Sequence, residues 1–326
     1  MSSSDSLPAL KTVERLLRET TERIAAECGQ PTRAAPRWSE SHWCLAQAAT
    51  APVPGLLGDT STRDYARKLQ LFNSFAEPEL RRAISSLNLA AGSCVLDAGC
   101  GTGQALRWFS SAVGPGGVVV GIDLARAHVA AARALGVARA RVLHADLLNA
   151  PFSPASFDLI WCVNTINHLR DPVLGLKRLA VLLRPGGRIA LGQSSLLPDM
   201  YFAWDSRLER LTNEAVRRFY LDRYGLREHD LTGVRSVVGW LRGAALRDVA
   251  VRTLTIERTS PLQPADEAYL LEAIFRDTWG ERLRPYLPPA EYAELMGNCD
   301  PKDSRFALRR PDFHFLQSFT LLTGSI

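Results

Sequence analysis

Lysine is nearly missing from this chain. Only Lys11, Lys68, Lys177 and Lys302 occur, and the rest of its 39 basic side chains are arginines. The net charge is +5, but the arginines are scattered and no run of five or more like charges appears, which argues against a nucleic-acid groove. Long apolar runs are missing as well. No stretch approaches the roughly 18 uncharged residues that a membrane span needs. The start, MSSSDSLPALKTVERLL, has no apolar h-region, so no secretory signal is expected and a cytoplasmic location is. The six cysteines at 28, 44, 94, 100, 162 and 299 form no C-x-x-C pair. Cys94, Cys100 and Cys162 fall in or beside strand candidates and read as small buried hydrophobes in a reducing compartment. The histidines at 42, 128, 144, 168, 229 and 314 lack ligand-like spacing, so no metal is expected. Internal repeats and low-complexity tracts are absent.

What is present begins at Val95-Leu96-Asp97-Ala98-Gly99-Cys100-Gly101-Thr102-Gly103. A short apolar run ends in an acid and opens into a glycine-rich turn. An apolar helix pattern follows, with Ala105, Leu106, Trp108 and Phe109. Glycines at 99, 101 and 103 tolerate positive φ and let a ligand approach the backbone, and the helix start offers free N–H groups. A second strand candidate, Val118 to Ile122, ends in Asp123, 26 residues after Asp97. A carboxylate there is placed to take ribose hydroxyls. A third acid, Asp146, follows the strand candidate Ala140 to His144. The fourth strand, Phe157 to Val163, leads to Asn164, Asn167 and His168, and a fifth follows Arg184-Pro185-Gly186-Gly187. A nicotinamide dinucleotide fits poorly. Its third glycine position is Leu106, and Asp97 would repel a pyrophosphate.

These motifs, VLDAGCGTG, GIDLA, HADLLNAPF, SFDLIWCVNTINHL and LLRPGGRIAL, resemble the class I S-adenosylmethionine-dependent methyltransferases, in particular the small-molecule branch that includes the ubiquinone-biosynthesis type. The resemblance is dense over about 65–192 and resumes loosely at 237–249. It implies an α/β fold: a Rossmann-like, seven-stranded, mostly parallel sheet with helices on both faces and a final antiparallel strand. It implies S-adenosylmethionine as cofactor and S-adenosylhomocysteine as product. Backbone around Gly99 and Gly101 would meet the methionyl part, below Asp97. The Asp123 carboxylate would take the two ribose hydroxyls, with Leu124 beside it, and Asp146 would take the adenine amino group, with Leu147 beside it. Asn164 would hydrogen-bond cofactor or acceptor. Arg63 and Tyr65 lie on a segment that in relatives closes over the cofactor, with Arg63 toward the methionyl carboxylate.

Three segments exceed the simple pattern. Residues 1–90 read as a helical N-terminal cap, with a helical region from Asp64 to Leu87 breaking near Glu77-Pro78. Within the core of 91–326, insertions at 195–230 and 261–310 add helices expected over the C-terminal edge of the sheet. Tyr201, Phe202 and Trp204 either wall an apolar acceptor pocket or pack the cap onto the core. His168 is the candidate general base, with loop ordering as the competing role. His314 reads as structural. The function expected is methyl transfer to O or N of a small, partly apolar molecule, in specialised metabolism. Two alternatives stay open: a modified-peptide acceptor, and a fold relative that binds the cofactor without transferring methyl, as a cyclase or regulatory partner.

Overall fold

The computed structural model describes residues 66–194, 200–202, 205–228 and 234–326. Its centre is one sheet with strands β1 (Cys94–Ala98), β2 (Val118–Asp123), β3 (Ala140–His144), β4 (Phe157–Val163), β5 (Leu183–Ser194), β6 (Met200–Phe202), β7 (Arg247–Thr259) and β8 (His314–Ser325). The order is β3-β2-β1-β4-β5-β8, with β7 on the outer side of β8. The first five strands pair in parallel, and β8 runs antiparallel to its neighbours.

The expected seven sheet positions are all filled. The extra strand, β6, does not add a position. β7 pairs along the whole of β8, so β5 and β6 must share the other side. β5 takes Phe319 to Ser325 and β6 takes Phe315 to Gln317. The turn Arg184 to Gly187 lies inside β5 rather than before it. Phe157 pairs with Leu183 and Leu159 with Arg188, so the turn residues bulge out between two paired positions.

Strand alternation sorts the core into two layers. Val95, Val119, Leu159 and Trp161 face one cluster, while Leu96, Val120, Ile160 and Cys162 face the other. Both clusters are apolar because helices cover both faces of a parallel sheet. Val237 and Leu241 of helix Val234–Gly243, with Leu176 and Leu179 of helix Pro172–Val181, cover the second cluster. Asp171 starts the latter helix by accepting from Leu174 N–H, with Pro172 behind it.

The first cluster is covered by added segments. Helices α1 (Ala66–Phe75) and α2 (Glu77–Ser85) break where Glu77-Pro78 was expected to break them. Behind them lie α3 (Ser206–Tyr224), capped by Asp205, and the segment from Pro264 to Cys299. Of the helices expected within 261–310, the first is a short α-helix, Pro264–Ala268, that continues as a π-helix over Tyr269–Trp279. Its buried residues Tyr269, Ala273, Ile274 and Thr278 recur every four to five positions, wider than the α-helical repeat. Thr278 Oγ1 donates to Ala273 O, five residues back.

A buried charge group ties the two added segments together. Arg258 of β7 meets Glu79 of α2 at 3.1 Å and Asp266 at 2.8 Å, while its guanidinium lies 4.7 Å from the Phe75 ring centroid. Cys100, Cys162 and Cys299 are buried free thiols. Cys94 departs from the reading as a free thiol, because the structure records it as disulfide-bonded. Among the described residues no helix is long and apolar enough to cross a membrane.

Candidate active site

A cavity opens at the C-terminal ends of β1, β2, β3 and β4. Asp97, Gly99, Gly101, Asp123, Leu124, Asp146, Leu147, Asn164 and His168 all line it, each a residue singled out from the sequence. Parallel strands explain the convergence. Each acid or asparagine ends a strand or begins the loop after one, and neighbouring parallel strands end on the same side.

The glycine loop is shaped by close approach. Gly99 adopts φ +83°, and a Cβ there would lie 2.3 Å from Thr165 Oγ1. Gly103 adopts φ +86°, and its Cβ would meet Ala132 at 2.8 Å. Larger residues at either position would have to push apart the loop after β4 or helix α4 (Arg126–Ala134). The N–H groups of Gly99 and Cys100 both donate to Ile122 O, which pins the loop against β2.

Asp97 is the unusual group. Its side chain is 2% exposed, and Oδ2 has no hydrogen-bond partner. Burial, and then the charge of Asp123, push its carboxyl up to about 8. Trp161 stands opposite it in the β1–β4 register, and Phe72, Leu80 and Trp108 line the same cavity. Asp123 is well partnered by contrast. Oδ2 accepts from Gly101 N–H at 2.8 Å, Oδ1 accepts from Ala125 N–H at 2.9 Å, and His128 Nδ1 lies 3.2 Å from Oδ1. Asp146 accepts from Leu148 N–H at 2.9 Å and so caps the short turn Leu147–Asn149.

Asn164 sits at φ +50°, a conformation asparagine tolerates. Its Oδ1 accepts from both the N–H and the hydroxyl of Ser194, which ties the β4 loop to β5. His168 ends a short 3-10 turn, Ile166–His168, held by its N–H donating to Thr165 O. Cys100 lines the cavity, but burial and the nearby Asp97 and Asp123 carboxylates hold its thiol well above its ordinary value, so it is no nucleophile.

Sequence reading missed several wall residues. Leu69, Phe72 and Asn73 of α1 line the cavity, and so do Leu80, His128, Trp161 and Thr165. The spacing of Leu69, Phe72 and Phe75 marked one face of α1, but nothing local says what that face meets. Asn73 Nδ2 donates to Gln104 Oε1 at 3.3 Å, joining α1 to the residue after the glycine loop. None of the described residues of 205–228 or 261–310 lines the cavity. Arg63, Tyr65 and Trp204 lie outside the described residues, and Tyr201 and Phe202 are described only as the backbone of β6. Among the described residues no group of three or more His, Cys, Asp or Glu is placed to hold a metal ion.

Residues 95–187 match the family described as methyltransferase domain. With the strand order above, this part of the chain is a class I S-adenosylmethionine-dependent methyltransferase core. The chain is similar to the 27-O-demethylrifamycin SV methyltransferase of Amycolatopsis mediterranei (strain S699), 36% identical over 124 residues, which are 36% of this chain and 44% of the relative. It is also similar to the nocamycin O-methyltransferase of Saccharothrix syringae, 37% identical over 121 residues, which are 36% of this chain and 43% of the relative. The chain thus spans less than half the length of these curated relatives. Among solved structures it is similar to the Haemonchus contortus phosphoethanolamine N-methyltransferase 2 complex, with 19% identity, a TM-score of 0.43, and coverage of 83% of this chain and 55% of that one.

Proposed function

We propose that this chain transfers a methyl group from S-adenosylmethionine to a small, partly apolar acceptor and releases S-adenosylhomocysteine. The observation that carries the reading is Asp97 Oδ2, a buried carboxylate oxygen without a partner in a cavity that also holds Asp123 and Asp146. Such an oxygen calls for a cationic donor. An amino-acid-bearing nucleoside supplies one. Its ammonium reaches Asp97, its methionyl part the glycine loop, its ribose Asp123 and Leu124, and its adenine Asp146 and Leu147. A pyrophosphate would meet carboxylates instead.

The cofactor supplies an electrophilic methyl on a sulfonium. The protein's share is to hold the acceptor in line and keep water out. Trp108, Trp161, Phe72 and Leu80 give the cavity apolar walls suited to that. The acceptor wall is assigned to Tyr201, Phe202 and Trp204. The rifamycin- and nocamycin-directed relatives support an acceptor from specialised metabolism, methylated at O or N. The setting is the cytoplasm, with a small molecule or small peptide as partner and no nucleic acid.

For an acceptor protonated at neutral pH, His168 is the base. His168→Ala then lowers turnover about 100-fold with cofactor affinity unchanged. If His168 orders the loop instead, His168→Asn keeps most activity, and affinity and stability fall together in the alanine variant. The primary test is calorimetry with S-adenosylhomocysteine and with NAD, followed by incubation of S-adenosylmethionine with hydroxyl and amine acceptors. Binding of the first ligand alone and formation of a methylated product are expected. Tight NAD binding with no response to S-adenosylhomocysteine would overturn the reading.

A further inference from the structure

The three carboxylates and the glycine loop account for one side of the cavity. Four apolar side chains remain: Phe72 of α1, Leu80 of α2, Trp108 of helix Gln104–Val113, and Trp161 of β4. They come from four separate elements and meet on one face of the sheet. Residues two apart on a strand share a face, so Asp97 lies on the side of Val95, and Trp161 on the side of Leu159. Val95, Leu159 and Trp161 belong to the same apolar layer, and Trp161 stands opposite Asp97 in register. The four side chains thus bound an apolar chamber that begins beside the Asp97 carboxyl and reaches α1.

One side of the chamber is fixed. Trp161 is 2% exposed and sits edge-on to Phe109, with ring centroids 5.5 Å apart at 72°, and Phe109 is itself buried. The other side is carried by α1, where Phe72 packs at a tilt against Tyr269 with centroids 6.0 Å apart. Flat aromatic walls favour a flat apolar guest, because stacked and edge-on ring pairs gain beyond the area they bury. Charge restricts the guest further. Asp97, Asp123 and Asp146 line the cavity, and among the described residues no arginine or lysine does. An ionised carboxylate or phosphate entering there leaves water with no cation to meet it. We infer that this chamber is the specificity subsite for the acceptor: it takes an uncharged planar ring and rejects an anionic one. Trp161 is the floor that limits how deep the ring enters, and Phe72 is the side chain that covers it. This rests on the methyl-transfer reading given above and adds to it the class of acceptor.

The test uses 2-naphthol as the uncharged ring and 2-naphthoate as its anionic counterpart. Each is titrated by calorimetry, at neutral pH, into the chain saturated with S-adenosylhomocysteine. 2-Naphthol should bind at least about tenfold more tightly than 2-naphthoate. Trp161→Leu and Phe72→Leu remove ring surface and keep the site apolar, and each should weaken 2-naphthol about threefold or more. The affinity of both variants for S-adenosylhomocysteine should stay within about threefold of the wild type, which a general loss of structure would not allow. Equal binding of the two probes, no binding of 2-naphthol, or an affinity that either substitution leaves unchanged would overturn the inference while leaving the cofactor assignment intact. So would displacement of S-adenosylhomocysteine by 2-naphthol, because the chamber would then belong to the cofactor. Failure of S-adenosylhomocysteine itself to bind the wild type would overturn both. Should Trp161→Leu not fold, the two probes on the wild type and Phe72→Leu still decide the matter.

Discussion

The cavity has two walls built in different ways. The strand-end wall comes from loops after β1 to β4, and each loop carries its own polar group: Asp97, Asp123, Asp146 or Asn164. The helix wall comes from α1, which brings Leu69, Phe72 and Asn73. The first wall is fixed by the pairing of adjacent parallel strands. The second is held from a distance. Phe75 stacks on Tyr269 of the π-helix with ring centroids 4.3 Å apart, Arg67 pairs with Glu272, and Arg258 joins α2 to Asp266. So the insertion near 261–310, which contributes no described residue to the cavity, sets where its helix wall stands. A wall made locally tolerates change elsewhere. A wall propped by another segment fails when the prop fails.

The sharpest way to break that contrast is Arg258→Ala. It leaves Asp266 buried without a cation and Glu79 with Arg82 alone, at 6% and 4% exposure. Removing one member of a buried ion group costs about 3–5 kcal/mol. Chemical denaturation should show a loss of that order, and hydrogen exchange should quicken first in 66–85 and 264–279 while the β1–β4 region stays protected. Uniform loss of protection would mean that the two walls are not separate units.

Asp123→Ala attacks the strand-end wall. It removes the ribose acceptor and also orphans the N–H groups of Gly101 and Ala125. S-adenosylhomocysteine affinity should fall at least about tenfold, and the ligand-free protein should also lose about 1–3 kcal/mol, because a buried donor is left unsatisfied. An unchanged melting temperature would show that the loop does not depend on this carboxylate.

Asp97→Asn gives an effect whose sign depends on pH and ligand. In the empty folded protein Asp97 holds its proton up to about pH 8, whereas an unfolded chain releases it near pH 4. Between those values the folded state binds the extra proton. Its contribution to stability is therefore complete below about pH 4, declines as pH rises, and levels off above about 8. The asparagine variant should lack this decline and be the more stable of the two at pH 8 without ligand. With S-adenosylhomocysteine the order should reverse, since the variant cannot ionise to meet an ammonium. Parallel pH-stability curves for the two proteins would remove the argument for a cation at this site.

The mildest probe is Asn73→Ala, which deletes the 3.3 Å bond to Gln104 between the two walls. A neutral hydrogen bond of this kind is worth about 1 kcal/mol. Ligand affinity should drop about threefold to fivefold, with faster exchange confined to 66–75. A loss as large as that from Asp123→Ala would mean that Asn73 touches the ligand itself.

The asymmetry between the walls also explains what was legible in the residues. Asp97, Asp123 and Asp146 could be placed from spacing because each follows an apolar run that can only be a strand, and side-by-side strands must end together. Leu124 and Leu147 came with them as neighbours in sequence, and Asn164 came as the residue that follows β4. Phe72 and Trp161 could not be placed that way. Both read as ordinary core residues, and their position at a cavity depends on how far α1 stands from the sheet. His128 lies in an alanine-rich helix whose sequence carries no sign that its first turn meets Asp123. The π-helix was hidden because an apolar face repeating every four to five residues resembles a slightly irregular α-helix.

By itself, then, the sequence determined the alternation that gives two apolar layers, the glycines that shape the loop, and the order of acids along the strand ends. These depend on contacts within a strand, a turn or a single crossover, and such contacts are encoded at short range. Tertiary structure alone decided which acid would be left without a partner, which histidine would meet the ribose carboxylate, and which helix would close the cavity. Those outcomes turn on distances between segments up to about 200 residues apart, such as Arg67 and Glu272 or Arg258 and Glu79. They are set by the packing of whole layers, for which no local pattern carries a signal.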